Sequence, residues 1–122
     1  MVKELNANTW DQEVTNKKGL VAVEFWYKQC VWCSRFAPIY EEVSKEYDNI
    51  TLASLDILKD EANNEIGQKV GVMGTPTVKV FCGGREIGEI VGFVPKEELK
   101  RQLDHYIKES ESCIKQSSDL SK

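Results

Sequence analysis

The sequence is poor in the residues that build metal sites. Its 122 residues include a single histidine, His105, and four cysteines. A structural zinc site takes four ligands, usually from two close pairs of cysteine or histidine. Only Cys30 and Cys33 form such a pair, whereas Cys82 and Cys113 stand alone. This spacing argues against a zinc site, and we expect a protein that needs no bound metal or organic cofactor.

The sequence also lacks a long apolar run and an excess of basic residues. Sixteen basic and twenty acidic residues give a net charge of −4, and no basic block of the kind that binds nucleic acid is present. Residues 1–6 show no signal-peptide pattern, and the longest apolar run is too short to span a bilayer. We therefore expect a cytoplasmic monomer with one hydrophobic core and with neither nucleic acid nor membrane as a partner.

The most informative motif is Cys30-Val31-Trp32-Cys33. It follows the apolar run of residues 20–27 and precedes an amphipathic stretch over residues 34–47. A strand that passes into a helix at this motif places the first thiol at the helix amino terminus, where free N–H groups favour a negative charge. A thiol held there has a pKa below the usual value of about 8.5. The motif therefore predicts that Cys30 is a nucleophile and that Cys33, one turn further on, resolves the mixed disulfide.

Apolar periodicity predicts alternating strands and helices. Residues 20–27 form a nearly continuous apolar run, as in a central strand that is buried on both faces. Thr9 is a candidate N-cap for a first helix and Asp60 for a later one. Gly83-Gly84 predicts a tight hairpin, because glycine readily adopts positive φ. The expected strands are residues 2–5, 20–27, 50–58, 77–82 and 86–91, and the expected helices are residues 9–17, 34–47, 60–70 and a last one from near 95.

These elements predict an α/β protein with a mixed sheet and helices on both faces. Pro38 should bend the second helix. The polar segment from residue 109 to 122 shows little periodicity and is expected to be a frayed tail.

Three segments of the chain resemble the thioredoxin family over roughly residues 3–107. They are VAVEFWYKQCVWCSRFAP, GVMGTPTVKVF and GGREIGEIVGFVPKEELKRQL. The resemblance implies a thioredoxin fold over residues 1–108, with a central mixed five-stranded sheet flanked by four helices. It further implies that Cys30 and Cys33 are the redox-active disulfide, that Pro76 is a cis proline facing them, and that Gly92 belongs to the substrate groove.

Residues around the motif have expected roles of their own. Thr75 would offer its backbone N–H and C=O to an extended substrate. Glu24 lies within an apolar strand, where burial raises a carboxyl pKa. It could then take the proton of Cys33, although an exposed position at a strand end is the alternative. Trp26 is expected to pack against the active-site turn, as a core aromatic or beside the disulfide.

The chain departs from the usual family pattern near the cysteines. Val31 and Trp32 replace the usual Gly-Pro, Gln29 replaces a tryptophan, and Ser54 stands where a lysine near the buried acid is common. Water is the expected substitute for that lysine in the proton path. Trp32 is interpreted either as an exposed substrate contact or as a partly buried helix residue.

The other two cysteines and the histidine are given no catalytic role. Cys82 is expected to be a small buried apolar residue. Cys113 is expected to be an exposed ordinary thiol, with glutathionylation or a disulfide-linked dimer as the alternatives. His105 is placed on the solvated side of the last helix.

The leading functional prediction is reduction of protein disulfides by dithiol exchange, with electrons from a separate thioredoxin reductase-type donor. Two alternatives remain open at this stage. One is a disulfide isomerase or oxidant with the same fold. The other is a non-catalytic binding module that docks partners through Trp32 and the groove at Pro76.

Overall fold

The computed structural model describes residues 1–113. Its five strands are β1 (Lys3–Leu5), β2 (Leu20–Trp26), β3 (Ile50–Asp56), β4 (Thr77–Cys82) and β5 (Arg85–Val91). Its three α-helices are α1 (Val31–Ser44), α2 (Glu61–Lys69) and α3 (Lys96–Glu109). No helix within the described residues is long and apolar enough to cross a membrane.

The strands form one mixed sheet in the order β1-β3-β2-β4-β5. β3 is parallel to both β1 and β2, whereas β4 is antiparallel to β2 and β5 is antiparallel to β4. The apolar run of β2 is central because it is covered on both faces. This architecture confirms the expected mixed five-stranded sheet flanked by helices.

Successive residues of β2 supply two separate cores. Leu20 and Ala22 pack with residues of α1 and α3, whereas Val21, Val23 and Phe25 pack with residues near α2 and the amino terminus. This division follows from the two-residue period of a strand, which points alternate side chains to opposite faces. Glu24 therefore lies on the α1 face, between apolar neighbours.

The first predicted helix is reduced to a π-helical turn over Asp11–Thr15, and the predicted N-cap at Thr9 is wrong. The Thr9 hydroxyl accepts from the Asn6 N–H and donates to the Asn6 carbonyl oxygen. The Asn6 side chain accepts in turn from the Asn8 and Thr9 N–H groups. Because this Asn6 turn uses the Thr9 hydroxyl, the side chain cannot cap the following turn.

The other turn signals hold. The Asp60 carboxylate accepts from the Asn63 N–H at 2.8 Å and caps α2. Gly83 and Gly84 have φ values of 59° and 85°, as the hairpin between β4 and β5 requires. This hairpin places β5 next to β4 at the edge of the sheet.

α3 lies close to β5 because β5 carries a glycine at the point of contact. A Cβ on Gly88 would lie 2.5 Å from the Tyr106 ring. The Tyr106 hydroxyl also bonds the backbone of Glu89, donating to its carbonyl oxygen at 3.2 Å. Gly88 thus sets the distance between the helix and the sheet edge.

The structure corrects the expected tail at its start. Glu109 still belongs to α3, and residues 111–113 form a further helical turn. The remainder of the predicted tail, residues 114–122, lies outside the described residues, and the proposed boundary after residue 108 stays a prediction.

Candidate active site

Cys30 is the N-cap of α1. It lies in the extended region of backbone space, and its sulfur accepts from the Cys33 N–H at 3.1 Å. Cys30 and Cys33 form a disulfide with their Cα atoms 5.2 Å apart, and both residues are buried. A sulfur at this position meets the unpaired N–H groups of the first helical turn, which stabilise negative charge. The strand-to-helix transition predicted from the motif is therefore present.

The segment before β4 faces this disulfide. The Thr75 hydroxyl donates to the Cys30 sulfur at 3.3 Å, and the Thr75-Pro76 bond is cis. The Pro76 carbonyl oxygen accepts from the Gly92 N–H at 2.8 Å, with Gly92 at a φ of 83°. The cis bond that the resemblance implied is present, and Thr75, Pro76 and Gly92 line one groove together with Trp32.

Two open grooves meet at this segment. One, of about 470 Å³, is lined by Cys30, Val31 and Met73 among others. The other, of about 350 Å³, is lined by Pro76, Gly92 and Phe93. Trp32 and Thr75 line both grooves. An extended chain could therefore cross the Cys30 sulfur by passing between these two side chains.

Trp32 lies in the first turn of α1 and presents a large apolar surface to solvent. Its side chain is half exposed, at 52%, and its ring centroid lies 5.7 Å from that of Phe93. The Arg35 guanidinium lies 4.9 Å from the Trp32 ring centroid. These two contacts restrict the indole, while about half of the residue stays accessible to solvent.

Glu24 is buried in the middle of β2. It is only 4% exposed, so the alternative of an exposed glutamate at a strand end does not hold. Burial raises its pKa from the ordinary 4.5 to about 7. Within residues 1–113, no ion pair or hydrogen bond reaches its carboxyl group.

A cavity of about 230 Å³ connects Glu24 with Cys33. Trp26, Tyr40, Glu41 and Ser54 also line it. Ser54 lies directly beside Glu24 on the neighbouring strand. Within the described part of the chain, no lysine or arginine lines this cavity, which agrees with desolvation as the cause of the raised carboxyl pKa.

The polar groups around this cavity differ in their hydrogen bonding. The Tyr40 hydroxyl lies 3.0 Å from the Ala22 carbonyl oxygen and 2.8 Å from that of Ala53. Burial raises the Tyr40 pKa well above its usual range, so the phenol is neutral. The Trp26 Nε1–H is buried and has no partner within the described residues. Trp26 lines this cavity together with Glu24 and Cys33.

Four residues of the site were not identified from the sequence. Arg35 and Phe93 flank Trp32, Met73 is almost fully exposed at the groove, and Glu41 lines the cavity. Phe93 and Met73 could have been noticed, since each is a large apolar residue within two positions of a residue implicated by the resemblance. Pro38, in contrast, lies inside α1 and lines none of the three cavities described.

Both expectations for the remaining cysteines require correction. Cys82 and Cys113 form a second disulfide, with Cα atoms 6.3 Å apart, and Cys113 is buried. The predicted exposure of Cys113 fails because the turn after α3 returns the chain to the end of β4. His105 is exposed on α3. Residues 1–113 contain no cluster of three or more histidine, cysteine, aspartate or glutamate side chains that could hold a metal ion.

Comparison with known proteins agrees with this geometry. The thioredoxin family model matches residues 1–105. A thioredoxin of Listeria monocytogenes is 33% identical over 108 residues, which cover 88% of this chain and 100% of that protein. A thioredoxin of Staphylococcus haemolyticus is 36% identical over 110 residues, covering 88% of this chain and 98% of that protein. One from Alicyclobacillus acidocaldarius is 37% identical over 84 residues, or 68% of this chain and 77% of its own.

The family match spans the sheet, the Cys30–Cys33 disulfide and the segment that faces it. Members of this family exchange disulfides with protein substrates through such a cysteine pair. With its fold, its paired cysteines and its relatives all in agreement, the chain belongs to the thioredoxin family and is a thiol-disulfide oxidoreductase.

Proposed function

We propose that the protein reduces disulfides of other proteins, with Cys30 as the attacking residue. The observation that carries this proposal is the position of Cys30 at the first turn of α1, where its sulfur accepts the Cys33 N–H and faces Thr75. A thiolate at that position is stabilised by the same N–H group. It also lies beside the groove through which a substrate would approach.

The reaction proceeds in two exchanges. The Cys30 thiolate attacks one sulfur of the substrate disulfide, so a mixed disulfide forms and a substrate thiolate leaves. The Cys33 thiolate then attacks the Cys30 sulfur, the mixed disulfide breaks, and the second substrate thiolate leaves. The substrate gains two electrons and two protons overall, and the Cys30–Cys33 pair loses them.

Glu24 is the proposed acceptor of the Cys33 proton. The two residues line one cavity, and the carboxyl pKa of about 7 places the group near the middle of its titration at neutral pH. A base with a pKa near the working pH is both available and strong enough to act. Because Ser54 replaces a lysine here, we propose that water in the cavity carries the proton between the two groups.

Substrate contacts are proposed at the two grooves. The backbone of Thr75 would pair with an extended substrate segment, as a sheet edge pairs with an added strand. Gly92 has no side chain to cover the neighbouring backbone of the groove, and Pro76 forms part of the groove's base. Trp32 would supply an apolar contact on the α1 side, since exposed tryptophans often anchor protein interfaces.

The electron donor is proposed to be a separate enzyme of the thioredoxin reductase type, which would return the Cys30–Cys33 disulfide to the dithiol. A monomeric state and a cytoplasmic location remain predictions from the sequence. Size-exclusion chromatography with light scattering would test the first, and fractionation of cells that express the protein would test the second.

Insulin reduction tests the proposed reaction. The full chain should accelerate dithiothreitol-driven cleavage of the insulin disulfides, and Cys30→Ser should abolish the acceleration. Cys33→Ser should instead accumulate a mixed disulfide with substrate. The double variant Cys82→Ser/Cys113→Ser is the control, because it removes the two cysteines that lie away from the site and should keep the acceleration. Undiminished turnover in Cys30→Ser would refute the mechanism.

A disulfide isomerase or oxidant is the second candidate, and one observation favours it. Val31 and Trp32 replace the usual Gly-Pro between the cysteines, and both are exposed at the site. Equilibration of the Cys30–Cys33 pair with glutathione buffers would separate the candidates, since a reductase stays oxidised at ratios that reduce an oxidant.

A further inference from the structure

The Cys82–Cys113 disulfide lies far from the active site. Cys82 ends β4, whereas Thr75 and Pro76 immediately precede the start of that strand. A strand of this length spans about 20 Å at about 3.3 Å per residue. The two disulfides therefore lie at opposite ends of the sheet, and they cannot exchange with each other within one molecule.

This second pair is not part of the family pattern that defines the active site. The family match ends at residue 105, before Cys113. Cys113 reaches Cys82 only because α3 continues to Glu109 and a further helical turn follows it. The dithiol chemistry assigned to the family thus accounts for Cys30 and Cys33 and leaves this pair without a role.

The second disulfide borders an open cavity. The cavity has a volume of about 520 Å³ and is lined by both cysteines, Gly83 and the loop of residues 15–18. Such a volume falls in the range of small-ligand sites. Cys82 is the more exposed of the two cysteines, since Cys113 packs into the core beside residues such as Leu103. A small molecule therefore has access to the pair from this side.

The charge of the cavity is one-sided. Lys17 and Lys18 belong to its lining, together with the uncharged Thr15 and Asn16. Among residues 1–113, no aspartate or glutamate lines it. Cations beside a sulfur stabilise an attacking thiolate and attract carboxylates. This cavity accordingly suits a small thiol that carries negative charge.

We propose that Cys82 and Cys113 form a second thiol-disulfide site, whose exchange partner is a small anionic thiol of the glutathione type. The partner's thiolate attacks the Cys82 sulfur, the Cys82–Cys113 bond breaks, and a mixed disulfide forms while Cys113 leaves and takes up a proton. A second molecule of the thiol attacks the mixed disulfide and leaves as the oxidised dimer. Two partner thiols are oxidised by two electrons in all, and the protein disulfide becomes a dithiol.

Exchange at this site changes what holds the end of α3. In the oxidised protein a covalent bond fixes the turn of residues 111–113 against the end of β4. In the mixed disulfide, the cavity is occupied and Cys113 is held only by packing. The ratio of reduced to oxidised small thiol would thereby determine whether the turn after α3 is covalently fixed to the end of β4, at the end of the sheet opposite the catalytic disulfide.

The full chain carrying Cys30→Ser and Cys33→Ser isolates the second pair for the test. It is incubated with glutathione under native conditions, quenched with acid, and analysed by mass spectrometry after alkylation. We expect a species one glutathione heavier, with the modification on Cys82, followed by the dithiol. A disulfide that resists glutathione until the protein is unfolded by denaturant would overturn the proposal.

The preference for an anionic thiol is tested in the same background. Lys17→Gln/Lys18→Gln should slow the reaction with glutathione by about three- to tenfold, and should leave the rate with uncharged mercaptoethanol nearly unchanged. Lys45→Gln/Lys69→Gln is the control, because it removes the same charge from exposed positions elsewhere. If Lys45→Gln/Lys69→Gln slowed the glutathione reaction as much as Lys17→Gln/Lys18→Gln does, the cavity would not select its partner by charge. The same would follow if Lys17→Gln/Lys18→Gln slowed the reactions with glutathione and with mercaptoethanol equally.

Discussion

The buried carboxyl group of Glu24 makes stability depend on pH in a defined direction. Its pKa is about 7 in the folded protein and 4.5 for an ordinary glutamate. Below pH 4.5 the group is protonated in both states and costs nothing. Between the two values only the unfolded chain ionises, so the free energy of unfolding falls as pH rises. Above about pH 7 the decrease in unfolding free energy is complete. The pKa difference of about 2.5 between the folded and unfolded states corresponds to about 3 kcal/mol.

Replacing Glu24 by glutamine removes this dependence. The difference in unfolding free energy between Glu24→Gln and the wild type should grow in favour of the variant by about 3 kcal/mol from about pH 4.5 to about pH 8. Urea unfolding of the oxidised proteins, followed by circular dichroism, measures it. The comparison is made with both disulfides intact, so that no cysteine titrates.

Glu13 provides the matched control. It is also buried, but its pKa is lowered by the Lys3 ammonium group, whose nitrogen lies 2.6 Å from the Glu13 Oε2 atom in an ion pair. A lowered pKa contributes stability above the unfolded value that is lost only as pH falls. Glu13→Gln should therefore differ from the wild type by a constant amount between about pH 5 and about pH 8. A pH-independent difference for Glu24→Gln as well would refute the argument that burial controls its ionisation.

Three further changes test other parts of the molecule. Trp32→Ala should raise the KM for insulin about fivefold with little change in kcat, as expected for the loss of about 1 kcal/mol of substrate binding energy. An unchanged KM would mean that Trp32 does not contact the substrate. Cys113→Ser should lower the unfolding free energy of the oxidised protein by about 3.5 kcal/mol, since the disulfide closes a loop with a sequence separation of 31. The difference in unfolding free energy should disappear in excess dithiothreitol. If it persisted there, the lower stability of Cys113→Ser would come from altered packing and not from the missing disulfide. Ser54→Lys should place an ammonium group beside Glu24 and lower the pKa of the Glu24 carboxyl group. The pH at which the unfolding free energy changes should then move to more acidic values. An unchanged pH dependence would mean that the amine does not reach the cavity.

The sequence predicted the elements whose signals are local. The apolar run of β2, the Asp60 cap and the Gly83-Gly84 turn each depend on a few neighbouring residues, and each is present as expected. Thr9 failed because Asn6, three positions earlier, competes for the same hydroxyl. Local propensity could not decide between two local hydrogen-bonding patterns that use one side chain.

The second disulfide depended on information that periodicity does not contain. Pairing Cys82 with Cys113 requires the end of β4 and the turn after α3 to lie within about 7 Å, which is fixed by how α3 packs on the sheet. That packing follows in part from Gly88, whose missing side chain admits the Tyr106 ring. The aromatic pair of Trp32 and Phe93 is a similar case, because the two residues are distant in sequence and meet only where α1 faces the segment after β5.

The absence of a lysine beside Glu24 has a chemical consequence for the proposed mechanism. A neighbouring ammonium group would lower the carboxyl pKa and make the carboxylate a weaker base, which favours returning a proton but not accepting one. Here desolvation acts alone, and a pKa of about 7 leaves the group about half protonated at neutral pH. Such a group can accept the Cys33 proton when the disulfide forms and return it when the disulfide is reduced. In the proposed mechanism, an uncharged Ser54 beside Glu24 therefore suits a cysteine pair that must be oxidised and reduced in every cycle, and we expect both half-reactions to depend on pH in the same range.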